Sequence, residues 1–160
     1  MLNIFNGPPV SFNRDGGPSL AYGARTISGV QVSSEYSMVD IQSQGRPFYI
    51  TEVVAEEYSS VYMYRSTSTL MDGVPVERVG DSTNEFGSVD TTCKTFGGNS
   101  SAVPANPAAK IGFPDGNNSP WNRTFRCPVF ARPNEIISFK YSNDGEALEL
   151  TLFWVEIFND

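Results

Sequence analysis

Glycine and proline are spread along the whole chain, 14 and 11 residues in 160, and both disfavour helix interiors while marking turns. Frequent turns leave room mainly for short elements. Between them lie runs in which apolar and polar side chains alternate with a period of two, the pattern of a half-buried strand. Hydrophobic residues make up 39% and charged residues 18%. Ser, Thr, Asn, Gln and Gly therefore supply much of the polar balance, a mixture suited to strands and polar loops rather than a helical bundle. The fold class that follows is all-β, an antiparallel β-sandwich of the jelly-roll kind. At 160 residues one domain can bury its core without a disulfide framework or a structural metal.

Residues 1–26 contain Gly7-Pro8-Pro9 and Asp15-Gly16-Gly17-Pro18 but no sustained periodicity, and read as an extended N-terminal arm. The sandwich is expected over 27–160. Val30, Val32, Tyr36 and Met38 alternate with polar residues, residues 48–54 form a second strand, and 60–70 have strand composition. Asp72-Gly73-Val74-Pro75 then supplies turn chemistry before residues 76–79, which predicts a central hairpin. Residues 97–133 are rich in Gly, Asn, Pro and Ser and read as long loops around short strands at 110–113 and 122–129. Loops of this kind on a rigid scaffold are where binding usually resides.

The clearest local signal is at the end. Residues 136–141 and 147–158 flank Asp144-Gly145, the turn dipeptide of a C-terminal β-hairpin. In the last run Leu148, Leu150, Leu152 and Trp154 share one face, which makes Trp154 a core residue. Phe153, Val155 and Ile157 fill the other face from its middle onward. Either a bulge switches the faces, or the second half of the strand is covered on both sides by its own domain or a neighbouring subunit.

The formal charge of −7 opposes a nucleic-acid backbone or an anionic membrane surface as the main partner. The first nine residues carry no basic segment and no apolar run long enough for a secretory signal or a span, so synthesis in the cytoplasm is expected. That setting favours free thiols for Cys93 and Cys127, though a pair between them stays open.

No histidine occurs in the chain, which excludes Ser-His-Asp and Cys-His catalysis and histidine-ligated metal sites. No cofactor and no metal is expected. Glu52, Glu56, Glu57, Glu85 and Asp90 could formally supply paired carboxylates, but spacing in sequence cannot establish the 5–10 Å separation such a pair needs; solvated surface charge is the simpler reading. Asp81-Ser82-Thr83-Asn84-Glu85 and Asp115-Gly116-Asn117-Asn118 offer oxygen ligands, yet neither has the spacing of an EF-hand loop. Tyr22, Tyr36, Tyr58, Tyr62, Tyr64 and Trp121 could form a platform on which a sugar stacks, against the alternative of ordinary packing. Asn99, Asn117 and Asn122 stand in glycosylation sequons, which matter only on a secreted chain.

The turn-rich arm, the strands in a polar background, the long Pro/Asn loop and the apolar C-terminal run together resemble small jelly-roll virion proteins of tailed phages, most closely the capsid decoration or cement type. The resemblance is one of general style, without a diagnostic motif. It implies a non-enzymatic structural role in the virion, a homotrimer, and attachment to the major capsid protein or another virion protein. Within the arm and loops, Phe5, Pro8, Pro9, Phe12, Arg14, Trp121 and Arg123 are the expected partner-binding residues. The competing expectation is a carbohydrate-binding or receptor-binding sandwich that uses Trp121 and the tyrosines against a glycan.

Overall fold

The computed structural model describes residues 19–30, 32, 34–55, 61–77, 86–87, 91–111, 121–144 and 147–158, the side chains of 19, 86–87, 110, 121–127, 142–144 and 158 excepted. Among the described residues there are eleven strands and no helix: β1 (Ser19–Ser28), β2 (Tyr36–Gln42), β3 (Phe48–Ala55), β4 (Val61–Ser66), β5 (Val76–Glu77), β6 (Phe86–Gly87), β7 (Lys94–Ser100), β8 (Ala109–Ile111), β9 (Trp121–Ala131), β10 (Ile136–Asp144) and β11 (Glu149–Phe158). They form two antiparallel sheets. The first has the order β6-β1-β11-β3-β9 and the second β5-β7-β2-β10-β4-β8, and their apolar faces meet in a β-sandwich. The all-β expectation holds.

Among the described residues no two strands consecutive in the chain are hydrogen-bonded to each other, which corrects both expected hairpins. β10 pairs with β2 and β4 in the second sheet, while β11 pairs with β1 and β3 in the first. The segment around Asp144-Gly145 therefore connects the two layers instead of turning back within one. Likewise β4 and β5 lie apart, with β5 on the far edge beside β7. Among the described residues each long strand except the edge strand β9 thus gains two partners drawn from distant parts of the sequence.

Two strands fall where loops or an arm were expected. β1 begins at Ser19 and pairs along its whole length with β11, Ser19 opposite Phe158 and Ser28 opposite Glu149, so residues 19–26 belong to the sandwich. The end of β7, residues 97–100, lies in what reads as loop, whereas β8 and β9 fall on the short strands expected at 110–113 and 122–129, and Trp121 stands at the start of β9, its backbone opposite Ala55. Residues 1–18 lie outside the described residues.

The core is built from alternating residues of both inner faces: Ile27, Phe48, Ile50, Val53, Leu150, Leu152 and Trp154 on one side, Val39, Ile41, Val61, Met63, Ile137, Phe139 and Tyr141 on the other. β3 contains an extra residue, Thr51, because Phe153 faces Glu52 and Trp154 faces Ile50. This bulge reverses the phase of β3, so Phe48 and Ile50 before it and Val53 and Ala55 after it all point inward. β11 keeps its own phase, with Leu150, Leu152, Trp154 and Glu156 buried in one row. Trp154 is core as expected. Its indole lies against Gly23 on the neighbouring strand, where a β-carbon would stand 2.7 Å from Cε2 and 3.0 Å from Cη2.

Candidate functional site

The outer face of the second sheet carries the most distinctive group of side chains. Lys140 of β10 sits directly beside Tyr62 of β4 and opposite Met38 of β2 in the hydrogen-bonded register. Its ammonium lies 3.8 Å from the centre of the Tyr36 ring and 5.1 Å from that of Tyr62. Both distances are within the range of cation–π attraction. Tyr64, on the same face by the two-residue period of β4, completes the floor.

A wall rises beside these rings from the connection between β7 and β8. Ala102, Val103, Pro104, Ala105 and Pro107 line it, and the cleft enclosed with Tyr36, Tyr62, Tyr64 and Lys140 measures about 450 Å³. That size falls in the range of small-molecule sites. The wall is tied down at both ends. The Ser101 amide donates to Asp72 Oδ2 at 2.7 Å, and the Ala108 amide donates to the Met63 carbonyl at 2.8 Å. Two prolines further restrict its backbone.

The electrostatics of the cleft follow from its burial. Lys140 is only 9% exposed, and desolvation lowers its ammonium pKa from the ordinary value. Among the described residues no carboxylate lies within ion-pair distance of it. Burial first, then the neighbouring Tyr62 and Tyr36 phenols, raise the Tyr64 pKa. Tyr64 is therefore a neutral hydroxyl near pH 7, able to donate or accept. Among the described residues the lining holds one cation and no carboxylate.

Next to the cleft the same sheet face is roofed by the segment after β4. Met71 is buried and packs where a side chain at Gly98 would stand, its Sδ 2.5 Å from such a β-carbon. Thr69 donates its hydroxyl to Asp40 Oδ2 at 3.0 Å, and the Asp72 amide donates to the Asn99 carbonyl at 2.8 Å. Asp40 is 2% exposed; burial raises its carboxyl pKa, and hydroxyl contacts from Ser138 and Thr69 only partly oppose this.

The outer face of the first sheet has a different character. One cross-strand row runs Tyr22, Val155, Tyr49, Phe130 over β1, β11, β3 and β9. Leu20 and Ile157 form the adjoining pair. Tyr22 is 36% and Phe130 38% exposed, and the Tyr49 and Phe130 rings stand 5.0 Å apart, tilted by 45°. The row carries no charge.

At one end of the sandwich Glu156 is fully buried. It accepts the Thr92 amide at 2.6 Å and the Thr92 hydroxyl, with Arg46 Nη1 3.9 Å away. Trp154 Nε1 donates to Thr91 Oγ1 at 2.9 Å. The polar groups here pin the segment before β7, residues 91–92, to β11. Cys93, beside them, is a buried free thiol; desolvation, reinforced by the Glu156 charge, pushes its pKa well up, which keeps it protonated and unreactive.

Of the tyrosines singled out from the sequence, the fold brings Tyr36, Tyr62 and Tyr64 together, and sends Tyr22 to the opposite sheet. Phe5, Pro8, Pro9, Phe12, Arg14 and Tyr58 lie outside the described residues, and of Trp121 and Arg123 only the backbone, in β9, is described. Glu52 stands on β3; Glu56, Glu57, Glu85, Asp90 and both Asp/Asn-rich loops lie outside the described residues, as does the side chain of Cys127. Lys140 and the Pro104/Pro107 wall went unnoticed in the sequence. A lysine alternating with Ile137 and Phe139 reads as an ordinary outward residue. Compared with known proteins, the chain matches no family model, no curated protein and no solved structure.

Proposed function

We propose that the chain is a non-catalytic binding protein on a jelly roll: a virion structural protein of the capsid decoration kind, a homotrimer that attaches to the major capsid protein or another virion protein. The observation that carries the reading is the uncharged row Tyr22, Val155, Tyr49 and Phe130 on the outer face of the first sheet. Copies of a chain with a formal charge of −7 repel one another, and an uncharged aromatic face is where a second copy can pack closely. The strand order supports the jelly-roll part, since early and late strands alternate in both β1-β11-β3-β9 and β2-β10-β4-β8, as a sandwich wound from two Greek keys requires. Jelly rolls serve both capsids and lectins.

The test is the native mass in solution over a range of concentrations. A stable species near three times 17.5 kDa, reduced to monomer by Phe130→Asp, supports the reading, and co-sedimentation with capsids then tests the partner. A strict monomer overturns the self-association part. A second reading, a carbohydrate-binding or receptor-binding module, is favoured by the cleft around Lys140.

A further inference from the structure

We propose that the cleft on the outer face of the second sheet binds the terminal residue of an acidic saccharide, its carboxylate held by Lys140 and its ring seated among Tyr36, Tyr62, Tyr64 and the Pro104/Pro107 wall. The inference rests on the carbohydrate reading of this cleft and is independent of self-association through the opposite sheet.

Three observations select the ligand class. First, among the described residues the only full charge in the lining is the Lys140 ammonium, fixed against two tyrosine rings and without a carboxylate partner. A buried cation draws an anion, because pairing restores the interaction that desolvation removes. Second, the remaining polar groups are phenol hydroxyls, which suit the donor and acceptor pattern of sugar hydroxyls, while the tyrosine rings and the proline, alanine and valine wall offer flat carbon surface to the sugar ring. Third, one ammonium in a chain of formal charge −7 matches a single negative charge. A polyanion meets repulsion from the rest of the surface. A monocarboxylate sugar satisfies all three.

The site is also prepared before binding. The wall is anchored by Ser101 to Asp72 and by Ala108 to Met63, and the Lys140 side chain is held by its two rings, so little ordering remains to oppose binding.

The experiment uses the full chain and four probes: glucuronic acid, its methyl ester, N-acetylneuraminic acid and glucose, followed by saturation-transfer NMR and titration calorimetry. The two acids should bind, the ester and glucose about tenfold or more weakly, in line with the loss of a charge-assisted hydrogen bond. Lys140→Met, which keeps the aliphatic stem between the rings, should weaken the acids by a similar factor while leaving the circular dichroism spectrum unchanged; raised salt should weaken them too. The ester comparison needs no variant, so a misfolded Lys140→Met leaves the test standing. Equal binding of acid, ester and glucose overturns the role of Lys140 but leaves a saccharide site. No binding of any probe overturns both.

Discussion

Replacing Gly23 by alanine tests the packing at the centre of the first sheet. The new β-carbon would meet Trp154 Cζ2 and lie 2.7 Å from Cε2 and 3.0 Å from Cη2, where carbon atoms normally sit about 3.5–4.0 Å apart. The ring would have to retreat by roughly 1 Å, and it has nowhere to go. Trp154 is 2% exposed, part of the main core, and tethered through Nε1 to Thr91. Overpacking of this kind costs about 1–3 kcal/mol, and a weakened indole hydrogen bond adds about 1 kcal/mol. Restricting the unfolded chain returns about 0.4–1 kcal/mol. The net expectation is a destabilisation of about 2 kcal/mol, a fall in Tm of about 4–8 °C for a chain of this length. Urea unfolding followed by circular dichroism measures it. Trp154→Phe supplies the control, because a phenyl ring lacks the outer indole carbons that collide. In that background Gly23→Ala should cost at least about 1 kcal/mol less. A neutral Gly23→Ala, or the same cost in both backgrounds, would refute the steric argument.

Other consequences concern the buried polar groups. Asp40 has a folded pKa raised by burial, so the folded state binds a proton more tightly than the unfolded one. Its contribution to stability is then fully present below the ordinary value of 3.8 and is lost as pH rises through the folded pKa. Asp40→Asn should therefore gain stability relative to the parent between pH 4 and pH 7; a pH-independent difference would contradict the assignment. Glu156→Ala leaves the Thr92 amide without its acceptor and should cost about 2–4 kcal/mol, with faster hydrogen exchange at Thr92; an effect below about 0.5 kcal/mol would count against the anchoring role. In a Cys127→Ser chain, Cys93 should resist thiol reagents until urea unfolds the protein, and rapid labelling of the native state would show that its burial is wrong. Glu135 receives Arg65 Nε at 2.9 Å and Nη2 at 2.8 Å, but the pair is partly exposed, so Glu135→Gln should cost no more than about 1 kcal/mol at pH 7. Since Arg65, above all, holds the Glu135 pKa low, that cost should vanish as the pH falls through the folded pKa.

Strand positions were legible wherever the inner face carries bulky residues. β3, β4, β10 and β11 fall close to where the alternation predicts them, because Phe48, Ile50, Val61, Met63, Ile137, Phe139, Leu150 and Leu152 announce a buried face at period two. β1 and β7 were missed for a complementary reason: their packing partners supply the bulk. Ala21 and Gly23 stand on the inner face of β1, with the indole of Trp154 filling the space at Gly23, and Gly98 of β7 is covered by Met71. A strand whose volume is provided by its neighbour has turn-like composition when read alone.

The candidate cleft divides in the same way. The sequence by itself determined an all-β chain, rich in turns and tyrosine, without histidine and with a net negative charge, since composition and local periodicity act over a few residues. Only the tertiary structure decided that β10 and β11 enter different sheets, that three of the tyrosines surround Lys140, and that Pro104 and Pro107 close one side. Asp144-Gly145 is compatible with a reversal inside one sheet or a passage between two, and local turn chemistry does not distinguish them. The choice is made by pairing over long separations: β11 completes the first sheet between β1 and β3, β10 completes the second between β2 and β4, and their apolar faces bury each other across the core.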